Sequence, residues 1–245
     1  RHEAIRSESL TWADTQGDKY AGYMRRQKAT GSLELLFIRH AQSVANDRGK
    51  LAGRLEPNPL SEKGMEQARK LAPLLAEFKP TRVISSPLSR CQQTASLAWK
   101  GDLEISEKLI EMDYGRWSGK SLKRLALLPS WKKIQRDPLS FRFPGGESFA
   151  ECELRLRSLI ESLTESGAGR IVLISHGDVI RIMINSLLGR PFNSFQHLQI
   201  VPAAHSHLSI DLPGVKPLGA RIHYLNRIAY PMVAAPMTDY QVGGE

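Results

Sequence analysis

The sequence predicts an α/β fold, a three-layer α/β/α sandwich with a largely parallel central sheet. Three observations predict it. The apolar runs Leu33 to Ile38, Val83-Ile84 and Ile171 to Ile174 are nearly continuous rather than alternating, as expected of strands buried on both faces. Amphipathic stretches of about 10–15 residues separate or follow them, which is the spacing of strand-to-strand crossovers. Each run also closes on a polar cluster, at the edge of the sheet where ligands bind in open parallel folds.

Residues 1 to 32 are polar and aperiodic and are read as an N-terminal extension, with a short helix expected around Tyr20 to Arg26. The folded domain is placed at 33–228 and a C-terminal tail at 229–245. Leu33 to Ile38 is the first strand. Glu56-Pro57-Asn58-Pro59 is a turn cluster, and after Ser61 the residues Met65, Ala68, Leu71, Ala72, Leu75 and Phe78 follow helical spacing up to Lys79-Pro80. Val83-Ile84 closes on Ser85-Ser86-Pro87, and Leu88 to Trp99 reads as a helix with Pro87 near its first position. Ser148 and Glu151 form a capping box ahead of Phe149, Cys152, Leu156, Leu159, Ile160 and Leu163, so a long helix starts just after Pro144-Gly145-Gly146 and stops at Gly167 to Gly169. Ile171 to Ile174 runs into Ser175-His176-Gly177. Asp178 to Leu188 is the next helix, with Gly189 just past its end. His205 to Ile210 and Arg221 to Leu225 are late strands, and no internal repeat is present.

With 245 residues and 41% hydrophobic content the chain can build a substantial core. No stretch approaches the roughly 18 consecutive apolar residues of a membrane helix, and the first residues contain no apolar export core, although a chain opening on Arg1 leaves a removed leader open. Only Cys91 and Cys152 are present, without metal-ligand spacing, which points to a reducing compartment and makes the cytosol the expected location. The formal charge of +9 favours anionic partners without choosing among them.

Three strand ends therefore deliver Arg39-His40, Ser85-Ser86-Pro87 and Ser175-His176-Gly177 to one edge, with Arg90 one helical turn beyond the second. Guanidinium forks suit phosphate oxygens, and clustered cations stabilise charge on a transferring phosphoryl group. A neutral imidazole beside them can attack phosphorus. On these residues the sequence resembles the histidine phosphatase superfamily, the phosphoglycerate mutase-like proteins, over about Leu33 to Ile210. The matching motifs are Arg39-His40-Ala41-Gln42 with Asn46, Ser85-Ser86-Pro87-Leu88-Ser89-Arg90 with Thr94-Ala95, Leu109-Ile110-Glu111 leading to Gly115-Arg116-Trp117-Ser118-Gly119, and Ser175-His176-Gly177.

The resemblance implies that His40 is the nucleophile that becomes phosphohistidine. Arg39, Arg90 and His176 would hold the phosphoryl oxygens, with Ser43 and Asn46 as further donors. Glu111 would protonate the leaving alcohol and then activate water, a dual role that calls for a pKa raised towards neutrality. Arg54, in the loop before the first long helix, and Glu147, in a Gly-Gly-Glu-Ser segment seen in phosphatase branches, are substrate-contact candidates. No cofactor and no metal is expected. The family usually has Gly after its nucleophile, where Ala41 stands here, so Ala41 is expected to have ordinary φ.

Hydrolysis of a small phosphate ester is the expected reaction. The excursion between acid and second histidine is compact and carries the Gly-Gly-Glu-Ser segment, and Met112-Asp113 stands where the mutase branch places Arg-His. The alternatives are mutase-type transfer and a non-catalytic phosphate- or nucleic-acid-binding module on the same fold. Residues 116 to 142 hold eight Lys and Arg against Asp137 alone, a net charge of +7. This segment is either a solvated face, a lid reading a second anionic group on the substrate, or a basic amphipathic element at a membrane surface. His205 and His207 could place two imidazoles on one strand face as metal ligands. Neither nucleic acid nor a membrane is the expected partner, and a dimer is left open.

Overall fold

Buried on both faces, Leu35, Leu36, Phe37 and Ile38 drive the first strand to the centre of the sheet, each side chain worth about 1.5–3 kcal/mol on removal from water. That strand, β1, spans Gly31–Arg39. The structure, a computed structural model, describes residues 31–212 and 219–229. The helix expected around Tyr20 to Arg26 and nearly all of the C-terminal tail lie outside the described residues. β1 begins two residues before the expected domain start, because Gly31 and Ser32 pair with Leu212 and Asp211.

The other strands are β2 (Arg82–Ser85), β3 (Glu104–Ile105), β4 (Gly169–Ser175), β5 (His205–Leu212) and β6 (Arg221–Arg227). Their order across the sheet is β3-β2-β4-β1-β5-β6. β1, β2, β3 and β4 run parallel, while β5 is antiparallel to both β1 and β6. Arg39 lies beside Ser175 and Ser85 beside Ile174, so three carboxyl ends reach the same edge in register.

The period-2 alternation of β1 divides the core into two layers. Leu33, Leu35 and Phe37 face one cluster with Leu156, Leu159 and Ile160, and Leu36 and Ile38 face another with Ala68, Leu71, Leu75, Cys91 and Ala95. The helices that cover the sheet are α1 (Val44–Asp47), α2 (Glu62–Arg69), α3 (Ala72–Phe78), α4 (Ser89–Ala98), α5 (Leu122–Leu125), α6 (Pro129–Arg136), α7 (Phe149–Glu165) and α8 (Gly177–Leu187). The single helix expected after Ser61 is two, broken at Lys70-Leu71, and Pro73 in the first turn of α3 lacks the N–H that a continuous helix would use. Pro87 precedes α4 rather than opening it, since Leu88 is the N-cap. The capping box of Ser148 and Glu151 forms as expected.

The basic segment 116 to 142 buries most of its large apolar side chains, while Leu127, Leu128 and Leu139 stay exposed. Trp117, Leu122, Leu125, Trp131 and Ile134 belong to the larger core cluster, with Trp117 and Trp131 stacked at 6.3 Å. That packing weighs against the membrane-surface reading, because most of the apolar face such an element would insert is covered by protein. Pro129 opens α6 instead of interrupting a longer helix. Among the described residues no helix is long and apolar enough to cross a membrane.

Candidate active site

At the end of β1 the chain turns sharply, and backbone bonds fix where His40 points. Its N–H donates to Ser175 O at 2.8 Å, its carbonyl accepts from Ala203 N–H at 3.1 Å, and Ala41 N–H donates to Thr94 Oγ1 at 3.0 Å. The Thr94 hydroxyl in turn donates to Arg90 O at 2.7 Å, which ties the His40 loop to α4. Ala41 is fully buried and is absent from the described non-glycine residues with positive φ, so its methyl group is accommodated by packing, as expected.

His40 Nδ1 lies 2.7 Å from Ala41 O, an acceptor only, so Nδ1 carries the proton and donates. Nε2 is left with its lone pair and accepts from Arg90 Nε at 3.2 Å. Burial, then the Arg90 and Arg39 charges, holds the His40 pKa well below the ordinary imidazole value, against the opposing bond to Ala41. The ring is therefore neutral at neutral pH, the state a nucleophile needs.

Arg90 donates from Nη2 to Gly53 O at 2.8 Å, and its Nη1 is a buried donor with no protein partner. Arg39 is anchored through Nη1 to Ile200 O at 2.7 Å. His176, at the N-cap of α8, has its ring centroid 5.2 Å from that of His40, and its Nε2 lies 2.8 Å from Ser86 Oγ. Burial first, then Arg90, lowers its pKa well below the usual value. Cys91 Sγ lies 3.4 Å from His176 Nε2, but burial pushes this thiol up to about 12 and keeps it protonated.

Glu111 joins this group from the loop that follows β3. It is 1% exposed, its Oε1 accepts from Met112 N–H at 2.8 Å, and its Oε2 lies 3.9 Å from His176 Nδ1. Ser175 Oγ donates to Leu109 O at 2.7 Å, pinning the Glu111 loop to the end of β4. Tyr114 donates to Asp178 Oδ2 at 2.7 Å and ties the same loop to α8.

The remaining candidates divide. Arg54 Nε donates to Glu111 O at 2.8 Å, so the loop arginine does reach the site, and about a third of its side chain stays exposed. Glu147 is engaged within the protein. Its oxygens accept from Arg54 Nη2 at 3.1 Å and Asp113 N–H at 3.3 Å, and from Arg155 Nε at 2.9 Å and Nη2 at 3.3 Å. Two arginines thus already share both oxygens of the carboxylate. Ser43 and Asn46 form a reciprocal cap on α1, Asn46 Oδ1 accepting from Ser43 N–H at 2.9 Å, while Asn46 Nδ2 is a buried donor without a protein partner.

Two glycines make this arrangement possible. A Cβ on Gly146 would lie 2.2 Å from Asp113 O and one on Gly115 2.4 Å from Pro144 O, so the Gly-Gly-Glu-Ser turn packs backbone to backbone on the acid's loop. Arg155 was not singled out in the sequence. The signal was weak, because Arg155 flanks the apolar stripe of α7 rather than standing within it. Glu147→Gln is expected to lower kcat about tenfold with KM little changed, and to cost about 1–3 kcal/mol of stability by leaving Arg155 half-paired. Steady-state kinetics and chemical denaturation check both. An unchanged kcat would remove Glu147 from any positioning role.

Residues 35–218 match the family model described as histidine phosphatase superfamily, branch 1. The chain is 30% identical over 185 residues to phosphoserine phosphatase 1 of Hydrogenobacter thermophilus, covering 73% of this chain and 87% of that protein. It is 28% identical over 176 residues to the Erwinia tasmaniensis protein named "Probable phosphoglycerate mutase GpmB", covering 69% and 80%. The solved mycobacterial glucosyl-3-phosphoglycerate phosphatase superposes with a TM-score of 0.70 at 26% identity, over 80% of this chain and 99% of that one. With the paired histidines, the two arginines and the buried glutamate gathered at one sheet edge, the chain belongs to the histidine phosphatase superfamily.

Proposed function

We propose that the protein hydrolyses a small phosphate monoester through a phosphohistidine on His40. The observation that carries this reading is the His40 tautomer, with Nδ1–H committed to Ala41 O and a neutral Nε2 facing Arg90. Nε2 attacks phosphorus as the ester oxygen leaves, and Glu111 gives that oxygen its proton. Arg39, Arg90 and His176 take the charge on the three phosphoryl oxygens. The Glu111 carboxylate then takes a proton from water as water attacks the phosphohistidine, releasing phosphate and neutral His40. A phosphate-release screen over phosphorylated metabolites tests the reading, and a chain that releases phosphate from none of them overturns it.

The substrate class is a phosphate ester with a second anionic group. Phosphoserine and glucosyl-3-phosphoglycerate, named for two of the similar proteins, each carry a carboxylate beside the phosphate. Arg54 is the partly exposed cation nearest the acid. The basic segment is joined to the same loop, Leu51 N–H donating to Lys120 O at 2.9 Å and Leu122 N–H to Gly49 O at 3.0 Å. Further along, Lys132, Lys133 and Arg136 line an open surface groove with Leu127, Leu128 and Pro129. Charge reversal at Lys132 and Lys133 is expected to raise KM for a carboxylate-bearing substrate about three- to tenfold and to leave a small aryl phosphate unchanged. Equal effects on both substrates would reduce the segment to a solvated face.

A further inference from the structure

We propose that Glu34, His207 and His223 form a binding site for a divalent transition metal of the zinc class, on the antiparallel side of the sheet and separate from the phosphatase centre. The three residues lie on adjacent strands, Glu34 on β1, His207 on β5 and His223 on β6. One donor atom from each lies within 4.8 Å of the other two. His207 Nε2 is 2.6 Å from Glu34 Oε2, and His223 Nε2 is 3.7 Å from the same oxygen.

A tetrahedral ion with bonds of about 2.0–2.2 Å holds its donors about 3.3 Å apart, so both separations approach the required value by shifts of less than about 1 Å. The contact between His207 and Glu34 needs a proton on His207 Nε2, and an ion bound there takes its place while the ring carries its single proton on Nδ1. The two imidazoles stack, with centroids 4.2 Å apart and planes 20° from parallel. Coordination therefore requires the His223 ring to turn until its lone pair converges with that of His207. His223 stands on the edge strand with 37% of its side chain exposed, so its outer side is open to the turn, which exchanges its contact with Ser209 Oγ for the ion. His207 is the fixed member, its ring held edge-on by Phe78 at 5.4 Å and by Tyr224 at 5.7 Å.

Two further features mark the cluster as built. The pairing of β5 with β6 shifts register on both sides of His207, and such irregularities re-aim side chains locally. Ser209 Oγ lies 2.9 Å from His223 Nε2 and places a fourth polar atom beside the three donors. The histidine pair suggested by the sequence is thereby replaced. His205 turns its ring onto Tyr224 instead, and burial and Arg227 lower its pKa to about 4. Two imidazoles and one carboxylate select zinc, cobalt or nickel over magnesium or calcium. A bound ion would join β6 to β1 and β5.

The test is a titration of the chelator-stripped full chain with Co2+ alone, followed by displacement with Zn2+. One equivalent is expected to bind with a visible absorption band that Zn2+ abolishes, and Tm is expected to rise about 5–10 °C at a hundredfold excess over Kd. His223→Ala, on the exposed edge, should weaken binding at least tenfold while phosphatase turnover stays unchanged, and Glu34→Gln should do the same. Absence of stoichiometric binding overturns the site. So does binding undiminished in His223→Ala and Glu34→Gln, which would place the ligands elsewhere in the chain.

Discussion

His40→Ala loses turnover by at least about 10⁴-fold, the scale on which enzymes fail when their nucleophile is removed. The size of the effect follows from the lack of a substitute. Cys91, the nearest thiol, has its pKa pushed up to about 12 by burial and stays protonated. His176 has Nε2 bonded to Ser86 Oγ and is itself lowered by burial and by Arg90. The variant should still bind inorganic phosphate or vanadate, because Arg39 and Arg90 keep their bonds to Ile200 O and Gly53 O when Arg90 Nε loses its bond to His40. Calorimetry with phosphate beside phosphate-release kinetics separates the two properties. Loss of turnover with retained binding marks an enzyme, whereas full turnover without His40 would refute the phosphohistidine route. The pH profile gives a second check. Since the His40 pKa lies well below 6.5, its protonation cannot cause loss of kcat/KM near pH 6.5, and the acid limb belonging to it falls at lower pH. The same shift makes stability complete above the unfolded-state value near 6.5 and progressively lost as pH falls from there towards the folded-state value.

The strand-end residues of this site were legible in the sequence for a physical reason. A strand buried on both faces must be apolar throughout, so the first polar residues after it mark the sheet edge, and Arg39-His40 and Ser175-His176 stand at that point in β1 and β4. The directions of β5 and β6 were not legible, because apolar content is the same in parallel and antiparallel strands. The surroundings of Glu147 were not legible for a similar reason. Its motif placed it near the acid, but only the fold reveals that Arg54 and Arg155, 93 and 8 residues away in the chain, meet on its two oxygens. The break between α2 and α3 was missed because Leu71, Ala72 and Leu75 keep helical spacing across it while the backbone loses one bond at Pro73. Glu34 and His223 escaped as partners of His207 because cross-strand neighbours leave no spacing signature in the chain.

Glu111→Gln separates the two half-reactions and is expected to slow an alkyl phosphate by about 10²–10⁴-fold, the usual contribution of a positioned acid or base. Gln keeps the hydrogen bond that Met112 N–H makes to Oε1 and the packing of a fully buried side chain, so the loop should stay in place. What is lost is the proton. An alkyl leaving group depends on it, and the first step with such a substrate fails. An aryl leaving group departs unprotonated, so its first step survives. The second step still needs a base for water, and with Gln none is present beside the phosphohistidine. The variant should therefore release one equivalent of aryl alcohol in a burst and then stall, with acid-labile phosphate retained on the protein. Rapid-quench measurement of the burst, with His40→Ala as the blank, is the deciding observation. If aryl and alkyl phosphates slow by the same factor and no burst occurs, Glu111 positions the substrate without moving a proton, and the acid must be sought among the other groups facing His176.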